Sequence, residues 1–189
     1  MVMRMNNHKL FCILGESASG KDTLTNRLCK DTCLKQIISY TTRPRRNNEG
    51  DTHIFVDDFA YEQMKDKVAA YTEINGAKYW TTLDQLYDND IYIIDPNGLK
   101  TLEDLGLKDI DLCSIYINVP FEIRMVRAMN RGDDFGVFMS RTEDEAKQFV
   151  NMKAHGGFDY AISNLNEDKA YAVLRSIIDI ENNTKLMED

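Results

Sequence analysis

The chain has 189 residues, enough for one substantial core with inserts, and its 43% hydrophobic and 29% charged content argues against a disordered or fibrous class. A formal net charge of −8 argues against a general nucleic-acid binder or a membrane-surface protein. Positive charge is local instead, with Arg43, Arg45 and Arg46 in one cluster and Arg124, Arg127, Arg131 and Arg141 in another, which in an acidic protein suggests bound phosphates.

Residues Met1 to Lys9 are polar and lack the apolar stretch of a signal peptide, and no run approaches transmembrane length. Cys12, Cys29, Cys33 and Cys113 show no metal-ligand spacing and read as free thiols. Both observations predict a cytoplasmic protein. The apolar run Leu10-Phe11-Cys12-Ile13-Leu14 predicts a strand, and a helix is expected over about 20–33. Between them lies Gly15-Glu16-Ser17-Ala18-Ser19-Gly20-Lys21-Asp22-Thr23. Strand, glycine-bounded loop and helix in that order are the context a phosphate-binding loop requires. Gly15 and Gly20 permit backbone angles that turn successive N–H groups inward, the helix adds its positive end, and the Lys21 ammonium can reach a nucleotide's outer phosphates. Asp22 stands where the pattern asks for Ser or Thr, so it offers Mg²⁺ no hydroxyl, and the metal is expected to be held largely through water and the nucleotide.

From Thr41 to Gly50 the chain is basic and turn-rich and reads as a loop. A strand is predicted at His53-Ile54-Phe55-Val56, then a short helix capped by Asp57-Asp58 and running to Val68. A hairpin is predicted from 69–74 and 78–82 around Asn75-Gly76. The runs at 90–95 and 114–119 suit strands buried on both faces of a parallel sheet. Helices are expected at 99–105, 121–131, 142–153 and 168–181, an irregular stretch at 132–141, and a last strand at 160–163. This alternation predicts an α/β fold, a P-loop NTPase-type parallel sheet sandwiched by helices. The block at 40–90 reads as a small mixed insert in this unit.

With these residues placed, the chain resembles guanylate kinases, P-loop enzymes that move the γ-phosphate of ATP to GMP. The resemblance runs from about Lys9 to Ile180 and rests on several motifs in order. They are the P-loop, Ser39-Tyr40-Thr41-Thr42-Arg43-Pro44-Arg45-Arg46, Glu73 to Tyr79, the strand ending at Asp95, Arg127 followed by Arg131-Gly132, and Asp159 to Asn164. It implies ATP-dependent phosphoryl transfer to a nucleoside monophosphate, GMP or dGMP by default, with Mg²⁺ as cofactor and nucleotides rather than nucleic acid or membrane as partners. Another nucleoside monophosphate or ribose 1,5-bisphosphate is the alternative acceptor on the same fold. A non-catalytic scaffold module is a further alternative, set against the presence of Lys21, Arg127, Arg131 and Arg141.

Residue by residue, the resemblance implies that Gly15 to Thr23 and Asn164 bind ATP, with Asn164 beside the adenine. Arg43 and Arg46 would clamp the acceptor phosphate with Tyr79, and His53 stands where the family has a second phosphate-binding tyrosine. Arg127, Arg131 and Arg141 match arginines of a mobile lid that, with Lys21, would neutralise the phosphoryl group in flight. The resemblance thus implies a lid at 125–148, leaving 8–39, 91–124 and 149–181 as the core. Asp95 matches an acid near the Mg²⁺ water shell, and Ser39 and Thr81 are the hydroxyl-bearing base contacts. The family meets guanine's N1–H and N2–H₂ with a glutamate and an aspartate, at positions occupied here by Ala70 and Asn97. Read by chemistry alone, Arg127 and Arg131 also fit a salt-bridged helix surface, Arg45 a solvated loop charge, Trp80 a core aromatic and His53 a strand histidine.

Overall fold

The computed structural model describes residues 8–45, 50, 52–74 and 76–184. Arg46 and Asn75, both named above, lie outside the described residues. The first strand, β1 (His8–Leu14), runs between two parallel neighbours, β6 (Ile91–Ile93) and β7 (Ile110–Asn118), and β8 (Tyr160–Ser163) pairs with β7 to give the order β6-β1-β7-β8. Side chains alternate across a strand, and β1 shows this directly. Leu10, Cys12 and Leu14 enter one buried cluster with Leu99, Leu102, Phe149 and Met152. Phe11 and Ile13 enter the other, with Leu24, Leu28, Leu174 and Ile178. One face is therefore covered by α4 (Pro96–Leu105) and α6 (Phe135–Ala154), the opposite face by α1 (Lys21–Asp31) and α7 (Glu167–Thr184). That is the sandwich expected from the near-continuous apolar runs.

The insert forms its own sheet, ordered β3-β2-β5-β4, from β2 (Tyr40–Thr41), β3 (Ile54–Phe55), β4 (Val68–Ile74) and β5 (Ala77–Thr82). Trp80 is its core: fully buried, stacked on Tyr40 at 5.5 Å and met edge-on by Tyr61 at 5.0 Å. Tyr61 comes from α2 (Asp58–Met64), where Asp57 accepts from the Ala60 amide as N-cap; a 3₁₀ turn at Lys65–Lys67 ends the segment before Val68. The pairing of β4 with β5 shifts register between Val68 and Ala70, and both Ala69 and Ala70 are buried.

Two helical segments depart from the sequence expectation. Leu83–Asp88 forms a short helix, α3, started by a capping box in which Thr82 and Gln85 satisfy each other's backbone amides. Residues 135–141 are not irregular but the first two turns of α6, which Asp134 caps by accepting from the Val137 amide at 2.9 Å. Exposed Phe135 and Val137 and the interposed Gly136 hide the helical period there. The helix before it, α5, spans Phe121–Arg131 as expected, and its Phe121 ring stacks on Phe138 of α6 at 6.1 Å.

Candidate active site

β1 delivers the chain into the loop at Gly15, and the loop closes into α1 through Gly20 at φ +83°, a left-handed turn that L side chains resist. Gly15 is needed for a different reason. A Cβ there would lie 2.6 Å from Ser19 Oγ and 3.1 Å from the Ile117 carbonyl, so only glycine lets the loop rest against β7.

The loop's carbonyls are held from outside. Arg124, 5% exposed although charged, donates to the Ser17 carbonyl at 3.3 Å and the Val119 carbonyl at 3.2 Å. Arg127 donates to the Ser19 carbonyl at 3.3 Å and the Asn164 carbonyl at 2.7 Å. The Asn164 amide donates to the Ser19 carbonyl at 2.8 Å. Two arginines of the second basic cluster thus brace the loop, and Asn164 joins them there.

Glu16 is the loop's buried anchor. Its carboxylate takes the Lys153 ammonium of α6 at 2.6 Å and the Tyr116 hydroxyl of β7 at 2.8 Å, with Arg124 at 3.9 Å. Burial alone would push this carboxyl up, but Lys153 and Tyr116 together hold it below the ordinary range. On the neighbouring residue, the Glu145 carboxylate of α6 accepts from the Ser17 amide at 2.8 Å and the Ser17 hydroxyl at 2.6 Å.

A cleft of about 570 Å³ opens between core and insert. On the core side it is lined by Gly15, Ser17, Lys21, Asp22, Arg141 and Glu145. Lys21 is 3.7 Å from the exposed Asp22 carboxylate. Arg131 sits apart at the surface, bonded to Asp133 at 3.0 and 2.5 Å. Thr23 is exposed on the first turn of α1.

On the insert side the cleft is lined by Ser39, His53, Ala70, Thr72 and Tyr79. Arg43 donates from Nε to the Tyr79 hydroxyl at 3.1 Å and rests over the Phe55 ring, and His53 meets Tyr79 edge-on at 5.6 Å. Arg45 also stacks on Phe55, 4.5 Å from its centroid. Ser39 lies 3.5 Å from the Tyr92 hydroxyl. Thr81 is different: it is fully buried and its hydroxyl donates to Gln85 at 2.8 Å, so it is committed to the start of α3 and is not part of the cleft lining. Hydroxyl-bearing residues that do line the cleft from β4 are Tyr71 and Thr72, next to Ala70.

Asp95 ends the β6 segment and caps α4, its Oδ1 accepting from the Asn97 and Gly98 amides, each at 3.0 Å. Burial pushes its carboxyl above the usual range, while those two amides and the Thr72 side chain pull the other way. Asn97 sits beside it in the cleft, on the first turn of α4.

Sequence reasoning missed Glu145, Lys153, Tyr116 and Thr72. In sequence Glu16 is only an acid within the loop; its burial, and the lysine that meets it, come from the fold.

The fold is that of a solved guanylate kinase from Anaplasma phagocytophilum, matched at a TM-score of 0.67 over 93% of this chain and 87% of that one, at 22% identity. In sequence the chain is similar to the guanylate kinase of Chlamydia trachomatis serovar D, 29% identical over 89% of this chain and 86% of that protein. It is also similar to that of Bartonella henselae, 27% identical over 89% of this chain and 79% of the other. The family model for guanylate kinase matches residues 7–181, nearly the whole chain, and the chain belongs to the guanylate kinase family.

Proposed function

We propose that this nucleoside monophosphate kinase transfers the γ-phosphoryl group of ATP to GMP or dGMP, with ATP on the Gly15–Thr23 loop and the acceptor in the insert. One observation carries the reading: a single cleft is lined both by the loop with Lys21 and by the insert's Ser39, His53, Thr72 and Tyr79. The two reacting groups are thereby brought face to face, and orientation plus charge neutralisation supply most of the catalysis this reaction needs. The acceptor phosphate attacks in line, so no protein nucleophile is required. In this reading Arg43, Tyr79, His53 and Arg46 grip the acceptor phosphate. Ser39, Asn97 and Thr72, the last held by Asp95, would face the base, while the Thr81 hydroxyl is engaged by Gln85 beside them. Arg141 reaches the transferring group from α6, while Arg127 holds the loop that carries it. The division into a core, an insert at 40–90 and a lid at 125–148 follows the same logic, with the lid built from the end of α5 and the first part of α6.

Mg²⁺ would accompany ATP and offset charge on its phosphates. Among the described residues no three His, Cys, Asp or Glu side chains converge into a metal cage. Acids line the cleft singly or in pairs, among them Asp22 and Asp95, which suits an ion held by phosphate oxygens and water with at most one or two protein carboxylates. The four free cysteines support a cytoplasmic setting, and no helix among the described residues is long and apolar enough to cross a membrane.

The test is an ADP-release assay across the common nucleoside monophosphates, their deoxy forms and ribose 1,5-bisphosphate. Turnover of GMP or dGMP is expected; turnover of ribose 1,5-bisphosphate alone would overturn the acceptor assignment. Selectivity should be modest. A site that buries acceptors for guanine's donors rejects analogues that leave them unpaired, and Ala70 and Asn97 supply no such carboxylates. Asn97 can accept or donate, so it fixes no base by itself. Ala70→Glu, alone or with Asn97→Asp, should raise the ratio of kcat/KM for GMP over AMP several-fold. A wild type already strongly selective for GMP and unimproved by either change would show that guanine is read elsewhere.

A further inference from the structure

One contact stands out from the donor reading on which it rests. The groups of Ser17 that face the cleft are a backbone N–H and a hydroxyl, the donors a phosphate-binding loop offers to phosphate oxygens. Both are taken by one side chain, Glu145, whose two carboxylate oxygens accept from them at 2.8 and 2.6 Å. A carboxylate in that position stands in for two oxygens of a phosphate group. It lines the same cleft as Lys21, so an incoming phosphate and the Glu145 carboxylate compete for the same donors and repel each other.

The helix that carries Glu145 is tied to the loop a second time, by the bond from Lys153 to Glu16. The two ties have opposite polarity: α6 gives a cation to the loop at Glu16 and an anion at Ser17. Phosphate competes only for the second, because Glu16 is buried against Tyr116 and neither it nor Lys153 lines the cleft. Four residues before Glu145 on the same helical face is Arg141, which also lines the cleft. Phosphates entering the loop therefore repel one side chain of this face and attract its neighbour one turn away. We infer that Glu145 is a competing occupant of the donor site, a carboxylate latch that lowers the affinity for the phosphates of ATP and must leave the loop before Arg141 can engage them.

The experiment is titration calorimetry of ATP and of inorganic tripolyphosphate against wild type, Glu145→Gln, Glu145→Ala and Asp144→Asn. Asp144 is the adjacent exposed acid of the same cleft and has no bond to Ser17, so it controls for loss of one negative charge. Both Glu145 variants should bind ATP and tripolyphosphate about fivefold tighter or more, since a charge-assisted pair is removed from the competing state. Asp144→Asn should change either by less than about twofold, and KM for the acceptor should not move in any variant. Unchanged or weaker ATP binding by the Glu145 variants would overturn the latch, as would an equal gain from Asp144→Asn. ATP binding by none of the four proteins, wild type included, would overturn the donor reading itself and the latch with it. Loss of helix packing would weaken binding, so a gain in affinity separates a latch from a purely structural side chain.

Discussion

Lys21→Ala should lower kcat by about a hundredfold to a thousandfold, the loss seen when one preorganised charge is removed from a developing transition state. The fold should survive. The Lys21 ammonium has the exposed Asp22 carboxylate as its ion-pair partner, at 3.7 Å, and exposed pairs are worth about 0–1 kcal/mol. What positions the loop lies elsewhere: Glu16 with Lys153 and Tyr116, Arg124 on the Ser17 carbonyl, and Arg127 with Asn164 on the Ser19 carbonyl. None of these groups needs Lys21. Thermal unfolding and GMP-dependent ADP release, measured on the same preparation, separate the two effects. A well-folded variant with near-wild-type turnover would overturn the donor site, because Lys21 is the lysine of the phosphate loop itself and, among the described residues, the cleft is lined by one further lysine, Lys147 of α6.

Much of this architecture could be read from the chain because local and global signals agree. The run Leu10 to Leu14 is buried on both faces, so it shows no alternation, and that continuity predicts a central parallel strand. The helix expected at 99–105 forms as α4 but begins earlier, at Pro96, because Asp95 caps it, and Gly106 in a left-handed turn ends it. The phosphate loop is legible for the same reason, since its glycines and lysine lie within nine residues. What could not be read is long-range. Glu16 and Lys153 are 137 residues apart, and Ser17 and Glu145 are 128 apart, so no spacing rule links them. The four arginines of the second basic cluster look alike in sequence, yet the fold separates them. Arg124 and Arg127 brace carbonyls of the loop, Arg131 pairs with Asp133 at the surface, and Arg141 lines the cleft. Thr81, expected at the base, has its hydroxyl claimed by Gln85 at the start of α3, a helix the sequence reading does not predict, while Thr72 of β4 lines the cleft.

The insert carries the second large effect. Arg43→Ala should raise KM for GMP tenfold or more while KM for ATP changes by less than about twofold. Each charge-assisted bond to phosphate is worth about 1.5–3 kcal/mol, and about 1.4 kcal/mol is a factor of ten in affinity. The guanidinium is already aimed by its neighbours: Nε donates to the Tyr79 hydroxyl at 3.1 Å, Nη1 to the Pro44 carbonyl at 2.8 Å, and the group lies 5.3 Å from the Phe55 centroid. A side chain held on three sides loses little further freedom when phosphate arrives, so its binding strength is delivered rather than offset by ordering. Arg43→Lys should restore only part of the loss, because an ammonium cannot keep the Tyr79 bond, the ring contact and a two-point grip on phosphate together. Arg45→Ala is the internal comparison. That arginine also lies over Phe55, 4.5 Å from its centroid, and its removal should cost the acceptor less than Arg43→Ala does. Equal increases in KM for ATP and GMP on Arg43→Ala would mean that donor and acceptor phosphates share one charged region, and the division of labour between loop and insert would fall.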